Sequence, residues 1–389
     1  MKVVILNWSE AENNPFEFSS KNYTELLEQG GREVVMLELT DKSWREQLLA
    51  LKAEGVEFVL SFQGLGTNHY ANGINFWDVI KLPIVCLHGD HPAHWPKNQN
   101  LDSRYCLHLY ANAEWAQYAN QHFHKKFAAS VGARSLFPPE PPEDAPQGDF
   151  FVMAKNIKAP EIFEHHWKTD HPAHVSKAML GAAAVLRDAL RTSAQYVRVH
   201  ELIDDYVESE NIEFMKAKIN PVFSHSVHSQ LDFYVRNFNA VRALEELHDV
   251  PLNVYGKGWD KLNTPRSSKH TFHPGKSTED SRALYNSRFG LVDISPAQGL
   301  HDRAKRAMSN RSSFACNAAM DFQYEPHRFP SIFFKLQSGS LRQIAEVIMA
   351  DPASHRAACA EFAALYQTLH KPQDFLTRVE NFARALVSE

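Results

Sequence analysis

Short apolar runs alternate with amphipathic stretches over the first 150 residues of the chain. Residues 3–7, 33–39, 56–61, 84–88 and 106–110 are apolar, short and bounded by polar or turn residues, a pattern that predicts strands. Residues 22–29, 43–54 and 113–122 carry helical spacing instead, and Trp44, Leu48, Leu49 and Leu51 give one of them a broad apolar stripe. Strands alternating with helices predict βαβ units and a parallel sheet covered on both faces. The run Phe137-Pro138-Pro139-Glu140-Pro141-Pro142-Glu143-Asp144-Ala145-Pro146 interrupts the pattern. Proline lacks the amide donor and restricts its predecessor, so a linker or surface loop is expected there. From about 159 to 247 the period is helical, clearest at 176–190, 212–218 and 231–247, while the polar stretch 223–229 reads as a linker. A second βα series follows. Strands are expected at 252–255, 271–272, 290–294, 313–316 and 332–335, and helices at 279–286, 303–308, 341–349, 353–370 and 373–387.

These patterns predict an α/β protein in three segments: 1–150, Rossmann-like; 151–247, a helical insert or bridge; and 248–389, again Rossmann-like. A length of 389 residues suits that division. The hydrophobic share of 44% and charged share of 22% exclude a disordered or fibrous chain. No run approaches the ~20 apolar residues of a membrane helix. The opening Met1-Lys2-Val3-Val4-Ile5-Leu6-Asn7-Trp8 is too short an apolar core for a signal peptide. Cys86, Cys106, Cys316 and Cys359 form no CxxC pair, which argues against a disulfide scaffold or zinc finger and for a reducing compartment. A cytoplasmic location is expected, with peripheral attachment at the inner face of the membrane left open. The net charge of −5, with no basic stripe interleaved with aromatics, disfavours nucleic acid as a partner.

Candidate chemistry concentrates between residues 252 and 317. Val254-Tyr255-Gly256-Lys257-Gly258-Trp259 sets two glycines directly after an apolar strand, where backbone approaches a ligand closely. His273-Pro274-Gly275-Lys276-Ser277 is a second such turn, and Gly299-Leu300-His301-Asp302-Arg303 leads into a third helix. Helix N-termini with Arg or Lys alongside suit an anionic diphosphate. One such turn is usually only a solvated loop, but three in one domain carry more weight.

The series Tyr-Gly-x-Gly-Trp, Pro-Gly before Leu284-Tyr285, strand 291–295 and Gly-Leu-His-Asp-Arg resembles the C-terminal half of CgeB-like, group 1-type glycosyltransferases, specifically over about residues 235–325. The resemblance implies a GT-B fold, two Rossmann-like domains facing across a cleft, with a nucleoside-diphosphate sugar as co-substrate and no further cofactor or bound metal. It implies donor contacts from Gly256, Trp259, His301, Arg303 and Asn317, and the two glycine turns read above add Lys257, Gly275 and Lys276 as donor-binding candidates. The acceptor it implies is a hydroxyl on a glycan, lipid-linked glycan or protein. The sequence departs from that family at Arg306, which stands before Ala307-Met308 where an acidic residue is usual, and at Asn310-Arg311 in place of a small glycine. Either Arg303, Lys305, Arg306 and Arg311 form a solvated basic face, or they hold the donor chiefly by phosphate charge.

In the first half, Cys86-Leu87-His88-Gly89-Asp90-His91-Pro92-Ala93-His94-Trp95 stands at the end of an apolar strand. Glycosyl transfer with inversion needs a base for the acceptor hydroxyl, and Asp90, or His91 or His88 oriented by Asp90, fits that role. A buried His–Asp pair that staples the loop is the competing reading. The same His-x-Asp-His pattern resembles zinc-hydrolase ligand sets, although HExxH is absent and further ligands from His69, His108, His165, His166 or His174 would be needed. A non-catalytic nucleotide-sugar binding module is the other alternative, motivated by Arg306. Gln63-Gly64-Leu65-Gly66-Thr67-Asn68-His69 follows a strand and either meets a substrate or simply turns into the next helix.

Overall fold

The computed structural model describes residues 1–9, 15–99, 103–123, 128–130, 148–193, 196–262, 267–275, 287–296, 300–317 and 326–388. The chain divides into two compact units, Met1–Leu136 with Leu369–Glu389, and Phe137–Thr368.

In unit 1 the elements run β1 (Lys2–Asn7), α1 (Pro15–Gln29), β2 (Glu33–Glu38), α2 (Trp44–Ala53), β3 (Val56–Phe62), a hairpin of β4 (Tyr70–Ala71) and β5 (Ile74–Asn75), α3 (Phe76–Ile80), β6 (Ile84–His88), β7 (Cys106–Tyr110), α4 (Ala113–His122) and β8 (Ala128–Ser130). The main sheet has the order β2-β1-β3-β6-β7-β8, parallel throughout. Parallel strands are covered on both faces and so read as continuous apolar runs, which is why β1, β3, β6 and β7 stood out in the sequence. On one face Val3, Ile5, Phe58 and Leu60 pack with Tyr23, Leu26 and Leu27 of α1; on the other Val4, Leu6 and Val59 pack with Trp44, Leu48 and Trp77.

Unit 2 contains β9 (Phe151–Ala154), α5 (Pro160–Asp170), α6 (Ala173–Thr192), α7 (Val199–Ser209), α8 (Pro221–Glu246), β10 (Leu252–Tyr255), β11 (His270–His273), β12 (Gly290–Asp293), α9 (Asp302–Ser309), β13 (Phe314–Asn317), β14 (Phe333–Phe334), α10 (Ser340–Ala350) and α11 (Pro352–Leu369). Its sheet order is β11-β10-β9-β12-β13-β14, again parallel. Counted from β9 this is 3-2-1-4-5-6, the order of a doubly wound dinucleotide-binding sheet.

Two features differ from the sequence expectation. Residues 151–154 form a central strand paired to both β10 and β12, so α5–α8 constitute the crossover between adjacent parallel strands β9 and β10. Their apolar faces (Trp167, Met179, Leu186, Leu231 and Val235 among them) share one core with Phe151 and Val254. Residues 223–229 lie inside α8, with Ser224, His225, Val227 and His228 buried; the polar composition marks a packed helix and not a linker. Secondly, α12 (Pro372–Ser388) belongs to unit 1. Phe375, Leu376, Val379 and Ala383 join the α1 face of its core, and Arg32 pairs with Glu380 at 2.6 Å. The proline-rich run 137–146, the expected helix at 279–286, Lys276 and Gly299 lie outside the described residues.

Candidate functional site

In an open α/β sheet ligands bind beyond the carboxyl ends of the strands, where the strand order reverses. In unit 2 that point lies between β9 and β12. Lys155 leaves β9 there and Asp293 ends β12. Asp293 is 3% exposed; its Oδ1 accepts the Ser295 N–H at 3.2 Å and lies 4.0 Å from an Arg303 guanidinium nitrogen, while Oδ2 lies 3.8 Å from His301 Nδ1. From the crossover, α8 contributes Arg236, which donates to Asp232 Oδ2 at 2.6 Å. His301 is the N-cap of α9, its Nδ1 accepting the Arg303 N–H at 3.4 Å. That bond places the imidazole proton on Nε2, which makes Nε2–H a donor.

The electrostatics follow from this crowding. Burial, then Arg236 and Arg303, push the Lys155 ammonium down to about 7, against the smaller opposing pull of Asp232 and Asp293. Burial and the same two arginines, with Lys305 and Lys155, hold His301 well below the usual imidazole range, hence neutral. Burial raises the Asp293 carboxyl and lowers Lys305, which is 4% exposed and lies 3.6 Å from Asp302. In both Lys155 and His301 the arginines weigh more than the aspartates, so the local field is positive. Cations crowded at a helix N-terminus suit an anionic ligand.

The glycine turn after β10 supports this crevice from behind. Gly256 (φ +152°) and Gly258 (φ +92°) lie so close to the carbonyls of Lys155 and Ile157 that a Cβ at either would collide with backbone. The contact is zipped by Lys155 N–H to Tyr255 O (2.8 Å), Ile157 N–H to Lys257 O (2.9 Å) and Lys257 N–H to Asn156 Oδ1 (2.9 Å). Trp259 is buried and its indole N–H donates to the Lys155 carbonyl at 2.7 Å. Gly256 and Trp259 thus act here through the segment that carries Lys155. Gly275 is exposed, and a Cβ there would only reach ordinary contact with Gly256 and Asn156; Lys257 is exposed, and Asn317 donates to the Ser295 carbonyl at 3.2 Å.

Of the residues singled out in unit 1, His88 is buried, stacked on Tyr110 and His108, and both ring nitrogens are engaged, with His108 Nδ1 at 2.8 Å and Gln99 Nε2 at 3.3 Å. His91 is buried as the N-cap of a 3₁₀ turn, its Nδ1 accepting the Ala93 N–H at 3.2 Å. Asp90 is exposed and accepts from Gln63 Nε2 at 3.0 Å.

Sequence reasoning reached His301 and Arg303 but not Lys155, Asp232, Arg236 or Asp293. The signal for Lys155 was present in the apolar Phe151-Val152-Met153-Ala154 ahead of it. Asp232 and Arg236 sit at i, i+4 on a helix whose role only the tertiary fold reveals.

No protein-family model and no curated protein sequence matches the chain. Among solved structures it is similar to T4 phage BGT in complex with its UDP-glucose substrate, with a TM-score of 0.52, 6% identity, and 98% of this chain and 99% of that chain covered. The same phage protein in complex with UDP and Mn2+ gives a TM-score of 0.50 at 8% identity, with the same coverage. Anabaena HepE in complex with UDP gives a TM-score of 0.48 at 12% identity, covering 100% of both chains. At these identities the likeness is one of fold. The chain has the GT-B fold, with two Rossmann-like α/β units.

Proposed function

We propose that the chain is a glycosyltransferase that moves a sugar from a nucleoside-diphosphate sugar to an acceptor hydroxyl. The observation that carries this reading is the positive crevice at the β9/β12 switch point. Lys155, Arg236, Arg303 and the Nε2–H of His301 hold the diphosphate, and the N-terminus of α9 adds its dipole. Negative charge grows on the leaving diphosphate in the transition state, so preorganised cations there lower the barrier without reorganisation. Side chains supply that charge, with no cofactor beyond the donor. Asp90 is the base: among His88, Asp90 and His91 it is the exposed group, whereas both histidines are engaged in the packing of unit 1. Uridine diphosphate is the first nucleotide to test, since T4 phage BGT has UDP-glucose as its substrate.

The test is a thermal-shift titration with UDP, GDP, ADP and dTDP. A ligand at ~100 times its Kd adds about 2.7 kcal/mol to the folded state, and one of the four is expected to do so. Loss of that shift in Arg303→Ala, and release of UDP from UDP-glucose by the wild type but not by Asp90→Asn, complete the case. The reading fails if no diphosphate moves the melting curve.

A further inference from the structure

We infer that Gln63 is a positioning residue for Asp90, fixing the carboxylate that in the proposed reaction receives the acceptor's proton. Its consequence for transfer rests on that reading; the pairing itself does not.

The sheet register sets the two side by side. Phe62 of β3 pairs with Leu87 of β6, and the Gln63 N–H continues the ladder to the Leu87 carbonyl at 2.8 Å. Gln63 therefore leaves β3 beside the loop that carries Asp90 out of β6. It does so at φ +52°, in the left-handed region. Four other non-glycine residues among the described ones share that region, and each has an ordinary reason. Asn72 and Asn211 tolerate it chemically, while Lys81 and Arg311 close the C-termini of α3 and α9. Gln63 and Gly64, both at positive φ, are the central residues of a turn closed by the Leu65 N–H on the Phe62 carbonyl at 3.0 Å, and the first of those positions ordinarily takes Asn, Asp or Gly, not a longer side chain.

The side chain adds a second cost. Gln63 is 7% exposed, and its buried Oε1 has no hydrogen-bond partner among the described residues. Its Nε2 makes one bond, 3.0 Å to Asp90 Oδ2. Backbone strain and an unsatisfied buried carbonyl are both unfavourable for folding, and strain retained at a ligand-facing strand end points to a role in function. The turn is also held from below: Gly64 packs on the Asn98 carbonyl, and Thr67 Oγ1 donates to the Gly64 carbonyl at 2.7 Å. Gln63 thus presents its amide from a rigid base. In transfer, the acceptor oxygen bonds to the anomeric carbon, the bond from that carbon to the diphosphate oxygen breaks with its electron pair going to the diphosphate, and the acceptor proton ends on Asp90. A carboxylate fixed by Gln63 meets that proton in one orientation.

The experiment compares wild type, Gln63→Gly, Gln63→Glu and Asp90→Asn in the full chain. It reads melting temperature, UDP affinity, kcat and KM for UDP release from UDP-glucose, and the side-chain amide resonance of 15N-labelled Gln63. Gln63→Gly is expected to melt at or above the wild-type temperature and to bind UDP unchanged, with kcat at least tenfold lower at constant KM. Gln63→Glu sets two carboxylates together, and the acid limb of its rate profile moves to higher pH. The Gln63 amide resonance shifts in Asp90→Asn. A Gln63→Gly variant that melts several degrees lower with wild-type kcat, or a Gln63 resonance indifferent to Asp90→Asn, overturns the inference. Wild-type kcat in Asp90→Asn, with the resonance shifted, overturns the base assignment and leaves the pairing standing.

Discussion

Lys155 is held near neutrality by burial and by Arg236 and Arg303, so it titrates where the protein is easily studied. The sign runs in opposite directions for folding and for binding. An unfolded lysine keeps its proton up to its ordinary value of about 10.5, so between pH 7 and 10 the unfolded chain holds more protons and the unliganded fold gains stability as pH rises. On the proposed reading a diphosphate beside Lys155 restores the ammonium, so binding takes up a proton above pH 7 and weakens by up to tenfold per pH unit. Melting curves with and without UDP between pH 6.5 and 9, set against Lys155→Met, check both slopes. The variant loses each of them. Arg303→Ala removes a charged partner of the anion, and a Kd for UDP raised about 10- to 100-fold is expected by calorimetry.

At the scale of elements, the support of the crevice is the contact between the segment after β9 and the glycine turn after β10. Gly258→Ala forces a Cβ against the Ile157 carbonyl at φ +92°, at a cost of about 1–3 kcal/mol. Because that segment carries Lys155, UDP affinity falls along with the melting temperature, which a remote destabilising variant would not cause. This is also where legibility stopped. The inner strands β1, β3, β6, β7, β12 and β13 were readable because burial on both faces writes them as apolar runs, whereas the half-exposed edges β2 and β11 were read from their place in the βα alternation. Residues 151–154 are just as apolar, but they stand between a proline-rich run and 90 residues of helical period, and nothing local says that so long a crossover rejoins the neighbouring strand. His301 and Arg303 were legible as part of a glycine-to-helix motif. Asp232 and Arg236 were not, since a helical ion pair at i, i+4 is ordinarily a solvated surface feature. The separation of Asp90 from His88 and His91 was equally hidden: all three share one motif, and only packing makes the histidines interior.

For the molecule as a whole, assignment of α12 to unit 1 makes a separable prediction. Removal of residues 372–389 uncovers the apolar contacts of Phe375, Leu376 and Val379 and breaks the Arg32–Glu380 pair. Loss of several buried large side chains is worth several kcal/mol to unit 1. Hydrogen exchange is expected to quicken in β1, β3 and α1, while the UDP-dependent protection of β12 and α9 persists. Equal loosening of both units would contradict the assignment of α12.

The same helix bears on the order in which the protein is made. A ribosome releases residues 1–136 first, yet the core they form still lacks the side chains of α12. Roughly 250 residues must be added before those side chains emerge, some tens of seconds at about 10 residues per second. Unit 2 leaves as one uninterrupted segment and is complete sooner. Unit 1 therefore completes its core after unit 2, and during that interval its α1 face lacks the apolar cover that α12 supplies.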